Sequence, residues 1–287
     1  MAGARTCTIL DIMRVVASID PCQQGRQTVL YCFSKKHSRT PDPAQAKVSM
    51  STAAPNPLAD WPRDGYLQLD DALTGDYLAQ VQTAFDRCAA AAKDQWLEGV
   101  ATGSAPAAFF DIPDPLAQDP LFVGLVDHPP WYSLLQELMD GQTVFHFAQF
   151  RTVPPSPLSY VGWHFDVPRS NPLHLKIQLY LNDVGPDEGA FAYVPGSHLA
   201  TAGPYPCVDR LEDMPGHRTF YARAGTALLF NSYGMHTSML NRGPTPRRSI
   251  ILIYEKFTAE RHDPNRCARL APQLTTPARR RLFGLER

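Results

Sequence analysis

The chain reads as a mainly β protein with flanking helices, built as a sandwich or barrel of short strands. Two observations predict this. After residue 140, short apolar runs rich in Val, Ile, Phe and Tyr alternate with clusters of Gly, Pro, Asn and Asp. Before it, two segments show the 3.6-residue spacing of helices that pack on a sheet. No repeat of fixed period or low-complexity tract follows residue 50. A jelly roll is one closed solution for that many short strands.

Residues 1–49 carry seven Lys or Arg (Arg5, Arg14, Arg26, Lys35, Lys36, Arg39, Lys47) against three Asp, and show no periodic apolar face. They read as the bulk of a poorly ordered N-terminal extension over 1–54, ahead of one domain over 55–287. An Arg-rich targeting presequence matches only partly, so a disordered tail or sequence upstream of a start at Met50 is the preferred origin. Compact sequence begins at "WPRDGYLQLDDAL" (61–73), with a short strand at Tyr66–Leu69. A helix is expected from Asp76 to Lys93, where Leu78, Val81, Phe85 and Ala89 form one stripe. A second helix is expected over "PPWYSLLQELM" (129–139), opened by proline. Strands are expected near 143–152, 174–181, 190–194, 217–222, 226–230 and 248–257. The basic tail after Arg266 reads as a surface segment.

Twenty-seven Lys and Arg nearly balance 28 Asp and Glu. No bulk positive field would draw the chain to nucleic acid or an anionic membrane, which favours a small-molecule ligand. The six cysteines form no CxxC pair or dense framework, which suits a reducing, cytoplasmic setting. No apolar run approaches the roughly 20 residues of a spanning helix. The expected assembly state is a monomer or homodimer.

The chemistry concentrates in "VGWHFDVP" (161–168), which reads as a buried strand. Residues two apart on a strand point the same way, so His164 and Asp166 face one object together. His236, in "GMHTSMLN", supplies a third donor. Two imidazoles and a carboxylate bind one side of an octahedral iron(II) and leave three adjacent positions open, as oxygen activation requires. Arg247 or Arg248, past a turn after His236, could clamp a carboxylate bidentately. Only one of the two can face inward, and both parities of "RRSIILIYEKF" are apolar, so alternation leaves the choice open.

In that order, "GWHFD", "DEGAFAYVPGSH", "GTALLFNSYGMHTSMLN" and "RRSIILIYE" resemble the phytanoyl-CoA dioxygenase family of iron(II)/2-oxoglutarate oxygenases, over about residues 62–257. The resemblance implies a double-stranded β-helix (jelly roll, cupin-like). It implies iron(II) on His164, Asp166 and His236, with 2-oxoglutarate and O2 as cosubstrates. It selects Arg247, eleven positions after His236, for the far carboxylate of 2-oxoglutarate, and matches Ser238 to a hydroxyl that assists it. Gln149 and Gln178 match positions that touch the cosubstrate, with ordinary sheet polar groups as the competing reading. Arg151, on the face of Gln149, could hold a substrate acid or lie in an exposed salt bridge. His146, His174, His198 and His217 lack matching neighbours and read as hydrogen-bonded core residues. Trp163 and Phe165 read as packing residues, with a place in the pocket wall as the alternative for Trp163.

The implied activity is oxidation, foremost hydroxylation, of a small metabolite or natural-product intermediate, with release of succinate and CO2. A metal-dependent hydrolase is an alternative, as is a ligand-binding β-barrel without activity. Halogenating relatives replace the carboxylate ligand with a small residue, whereas Asp166 is intact. A lid is expected from 95–130, 152–162, 167–173 and 199–216.

Overall fold

The computed structural model describes residues 56–156 and 161–286. The expected extension over 1–54 lies outside them. The chain divides into two units, Met1–Ala59 and Asp60–Arg287. Of the first, only 56–59 is described, a turn in which the Ala59 N–H donates to the Asn56 carbonyl at 3.1 Å.

The second unit is mainly antiparallel sheet with flanking helices. Helix α1 (Trp61–Asp64) leads into β1 (Tyr66–Leu69), and α2 (Gly75–Thr102) follows. After β2 (Phe110–Asp111) come α3 (Pro115–Gln118), α4 (Pro120–Val126) and α5 (Pro129–Leu138). The remaining strands are β3 (Thr143–Val153), β4 (His174–Tyr180), β5 (Phe191–Tyr193), β6 (Arg218–Thr219), β7 (Ala227–Asn231), β8 (His236–Ser238) and β9 (Arg247–Lys256), before a final α6 (Pro277–Leu282). Six strands form a large sheet in the order β1-β7-β4-β9-β3-β2, and three form a small sheet in the order β6-β5-β8.

Helix α2 runs past the expected end at Lys93 because Gln95, Trp96, Leu97 and Glu98 continue a helix-compatible sequence. It stops at Gly103, whose φ of 73° is a left-handed cap. Strand β8 was not expected: three residues are too few for periodicity, and pairing with β5 makes the strand. The strand expected over 161–168 does not form. Only an isolated bridge joins His164 to His236. Pro168 offers no N–H, and the Asp166 N–H donates to the Ser232 carbonyl at 3.2 Å instead of continuing a ladder.

Alternation on the large sheet separates two faces. One carries Ile250, Leu252 and Tyr254 of β9, all fully buried. It meets the helices: Phe150 of β3 contacts Phe85 of α2 and Phe122 of α4, with ring centroids 6.1 and 4.6 Å away. The Tyr254 hydroxyl donates to the Val126 carbonyl at 2.7 Å. The other face includes Arg247, Ser249, Ile251, Ile253 and Glu255, with Gln149 and Gln178 both in register with Ile251. This face looks toward the small sheet, and a cluster of Tyr66, Tyr180, Phe191, Tyr193, Phe220 and Phe230 fills part of the interior.

The segment 199–216, expected as a lid, has a different place. Met214 is buried with Trp163, Ala192, Val194 and Met235, and Tyr205, Val208 and Leu211 pack on that cluster. Along the chain these residues alternate with the inward-facing His164, Tyr193 and His236, so the segment covers the back of the small sheet. Trp163 packs there too, its indole N–H donating to the Leu211 carbonyl at 2.9 Å. Among the described residues no helix is long and apolar enough to cross a membrane.

Candidate metal centre

His236 is the first residue of β8, and its bridge to His164 is closed by two hydrogen bonds. Each backbone N–H donates to the other's carbonyl at 3.0 Å. The bridge places the imidazoles side by side, with ring centroids 4.3 Å apart. Both rings are turned the same way: Nδ1 of His164 lies 2.9 Å from the Gly162 carbonyl, and Nδ1 of His236 lies 2.8 Å from the Gly234 carbonyl. A carbonyl can only accept, so each Nδ1 carries the proton and each Nε2 presents a lone pair. Gly234 is required here, since a Cβ would lie 1.8 Å from the Tyr193 hydroxyl oxygen.

Asp166 completes the set. One ligand atom from each of His164, Asp166 and His236 lies within 4.8 Å of the others. The Asp166 Oδ2 atom is 3.1 Å from His236 Nε2, and Oδ1 is 3.7 Å from His164 Nε2. Oδ2 is buried and has no hydrogen-bond partner among the described residues. With both imidazoles protonated on Nδ1, three acceptors converge on one point and no donor lies between them. Such an arrangement is repulsive on its own and fits a bound divalent cation.

Electrostatics agree with that reading. Burial would raise the Asp166 pKa, but the Lys176 ammonium beside it holds it well below the usual carboxylate range. Burial depresses the His236 pKa, against the opposing pull of Asp166. Asp166 and His236 therefore stand in the protonation states that bind a metal.

A second group with unmet hydrogen-bonding capacity lies on β9. Arg247 is 1% exposed. Its Nη1 donates to the Ser238 hydroxyl and the Gly189 carbonyl. Among the described residues Nε and Nη2 are buried with no partner, and no carboxylate pairs with this guanidinium. Gly189 adopts φ +72°, a backbone conformation that favours glycine, and a Cβ there would lie 3.2 Å from Asn241 Cβ. A buried guanidinium without a carboxylate is costly on its own, and this one could hold an anion.

The two glutamines sit on the same inner face. Gln178 is buried and its Nε2 has no partner, while Gln149 lies two strands away in the same row. Arg151 is neither free for a substrate acid nor in an exposed salt bridge. It is buried and pairs bidentately with Asp111 of β2, at 2.7 and 2.6 Å, above the Phe109 ring at 4.1 Å. Asp111 came from an edge strand too short to recognise in sequence. Of the remaining histidines, His174 places Nδ1 2.8 Å from the Ser232 hydroxyl, and His146 lies 3.6 Å from Glu255. Neither belongs to the ligand cluster. His217 Nδ1 is 2.7 Å from the Met214 carbonyl.

Sequence reasoning missed Lys176 of β4, whose Nζ lies 2.6 Å from Asp166 Oδ1. The signal was present: Lys176 and Gln178 are the two polar residues of one parity in an otherwise apolar "LKIQLYL".

A jelly roll with this donor set and a buried anion clamp defines the class of iron(II)- and 2-oxoglutarate-dependent oxygenases. The chain belongs to the phytanoyl-CoA dioxygenase (PhyH) family, whose model matches residues 61–249. It is an enzyme of that class, using iron(II), 2-oxoglutarate and dioxygen. A curated relative, the ectoine dioxygenase of Nocardia farcinica (strain IFM 10152), is 23% identical over 229 residues, covering 69% of this chain and 76% of that one. Among solved structures, the epimerase SnoN in complex with Fe3+, alpha ketoglutarate and nogalamycin RO superposes with a TM-score of 0.54 at 19% identity, covering 70% of this chain and 82% of SnoN. The carbocyclase SnoK from nogalamycin biosynthesis gives 0.56 at 16% identity, with 71% and 85% covered. HygX from Streptomyces hygroscopicus, with nickel, 2-oxoglutarate and hygromycin B bound, gives 0.53 at 16% identity, with 69% and 86% covered. These likenesses establish the shared fold.

Proposed function

We propose that His164, Asp166 and His236 hold iron(II), that Arg247 and Ser238 receive the distal carboxylate of 2-oxoglutarate, and that the enzyme hydroxylates a small metabolite or natural-product intermediate. The observation that carries this reading is the pairing of two unmet demands in one interior. Three acceptors converge with a single ammonium, Lys176 on Asp166 Oδ1, beside them, and among the described residues one buried guanidinium stands without a carboxylate. A chelating dianion between them answers both. A hydrolase would need only the first. When bound, the metal with 2-oxoglutarate supplies oxidative decarboxylation and the oxidant for the substrate.

The protein's own contributions are positional. The bridge between His164 and His236 fixes both imidazoles, and the carbonyls of Gly162 and Gly234 fix their tautomers. Arg247, buried against Ser238 and Gly189, orients the cosubstrate by one end so that its keto acid end reaches the metal. Gln149 and Gln178 offer amides to the same ligand from the facing row of the sheet. The aromatic cluster around Phe191, Tyr193 and Phe230 contacts the His236 ring at 5.7, 6.4 and 5.0 Å. It keeps water away from that side of the site.

Arg151 is occupied by Asp111, so the described interior offers a substrate no second uncompensated cation. That supports a substrate without an obligatory acid anchor. A small-molecule natural product is further supported by the company of SnoN, SnoK and HygX, and an intact Asp166 disfavours halide delivery. The test is substrate-triggered oxygen consumption and succinate release across a metabolite panel, with iron(II) and 2-oxoglutarate present. Metal-dependent turnover without 2-oxoglutarate or oxygen would overturn the reading.

A further inference from the structure

Three cations face the interior of the large sheet. Arg151 is taken by Asp111, and Arg247 is open to an anion. Lys176 is placed on the metal ligand itself. It lies on β4 between its register partners Phe230 and Ile253, both buried and apolar. Its Nζ lies 2.6 Å from Asp166 Oδ1, and each side chain of the pair is only 12% exposed.

The two oxygens of Asp166 therefore differ. Oδ1 is held by an ammonium, whereas Oδ2 has no hydrogen-bond partner among the described residues and lies 3.1 Å from His236 Nε2. Resting on the reading that the triad binds a metal, we propose that Lys176 is a positioning residue that keeps Asp166 a one-oxygen ligand, retaining Oδ1 so that only Oδ2 serves the metal. A carboxylate left alone can bind a metal through one oxygen or both. With two imidazoles and a one-oxygen carboxylate, an octahedral ion keeps three positions open, and a two-oxygen carboxylate would leave two. A chelating 2-keto acid needs two and dioxygen needs one. Lys176 thus reserves the position that oxygen uses.

The residue type suits the task. An ammonium is a point charge on a flexible stem and engages one oxygen, whereas an arginine fork would take both. The buried lysine also requires a partner of its own, which holds it in place.

The test uses the full-length protein loaded with Mn(II) in place of iron(II). Water-proton relaxation then reads the number of exchangeable water positions on the ion. Lys176→Met should bind Mn(II) within about threefold of wild type, and its relaxation enhancement per bound ion should fall by about a third, from three water positions to two. Its affinity for 2-oxoglutarate should stay within about threefold of wild type, because the two positions left still accept the chelating keto acid. Simple loss of a positive charge would weaken 2-oxoglutarate binding without changing the water count. Unchanged relaxation in the folded variant overturns the proposal, as does complete loss of Mn(II) binding. If Lys176→Met does not fold, Lys176→Gln is judged by the same two readouts. A wild type that binds Mn(II) no better than His236→Ala would instead overturn the metal reading on which the proposal rests.

Discussion

Arg247 and Arg248 are neighbours in sequence and face opposite sides of one sheet. The Arg247 guanidinium is buried against Ser238, while that of Arg248 reaches out to Asp86 on helix α2. The first prediction follows from that division. Arg247→Ala removes a charge-assisted contact worth roughly 1.5–3 kcal/mol, so the 2-oxoglutarate concentration for half-maximal succinate formation should rise at least about tenfold. Arg247→Lys should restore only part of it, because the planar fork is lost. Arg248→Ala should cost at most about 1 kcal/mol of stability and leave cosubstrate affinity near wild type, since its ion pair is half in solvent. A larger cosubstrate defect in Arg248→Ala than in Arg247→Ala would reverse the assignment.

His236→Ala should abolish iron-dependent 2-oxoglutarate turnover while the cooperative unfolding transition persists. The ring is one of three converging acceptors, and its loss relieves their repulsion in the metal-free state. Asp166→Ala should also lose turnover and retain weak metal binding through two imidazoles. Isothermal titration with metal beside a succinate assay separates these cases, and full turnover by His236→Ala would sink the ligand assignment.

Acid should weaken the fold in a defined window. Burial lowers the pKa of His146 and of His174 to about 4 each, from 6.5. Both are therefore neutral in the fold across a range where the unfolded chain takes up protons. Their contribution is intact above pH 6.5 and is lost progressively as pH falls toward 4. By linkage the loss amounts to a few kcal/mol in total, visible as a drop in thermal midpoint. His174→Gln should flatten that slope between pH 6.5 and 4, and a wild-type slope in the variant would show that other groups carry it.

A chain beginning at Met50 should fold and bind metal and 2-oxoglutarate as the full chain does. The compact unit spans Asp60–Arg287, and residues 1–49 carry no periodic apolar face. Differential scanning calorimetry of both chains checks this. A thermal midpoint lowered by more than about 5 °C, the equivalent of more than 1 kcal/mol, would make the extension part of the fold.

Much of the molecule was legible before any coordinates. Strands β1, β3, β4, β7 and β9 announced themselves because each is long enough for composition and alternation to register. His164, Asp166 and His236 stood out by residue type and spacing. β2 and β8 were not legible: they hold too few residues to show a period, and pairing with β3 and β5 makes them strands, whereas the equally short β5 and β6 fell inside longer runs that read as strands. What the tertiary structure alone decided is which groups meet across the interior. Alternation sorts a strand's residues into two faces, but it does not say which face another sheet covers. Arg247 and Arg248 were equivalent by that criterion until β9 was seated between β3 and β4. Arg151 was open to a substrate acid until Asp111, 40 residues earlier, closed on it. Lys176 was one of two polar residues in an apolar run until the turn bearing Asp166 came within 2.6 Å of it. Local periodicity comes from one chain segment and can be read from it. An ion pair between distant segments depends on how the sheets pack, and no single segment carries that information.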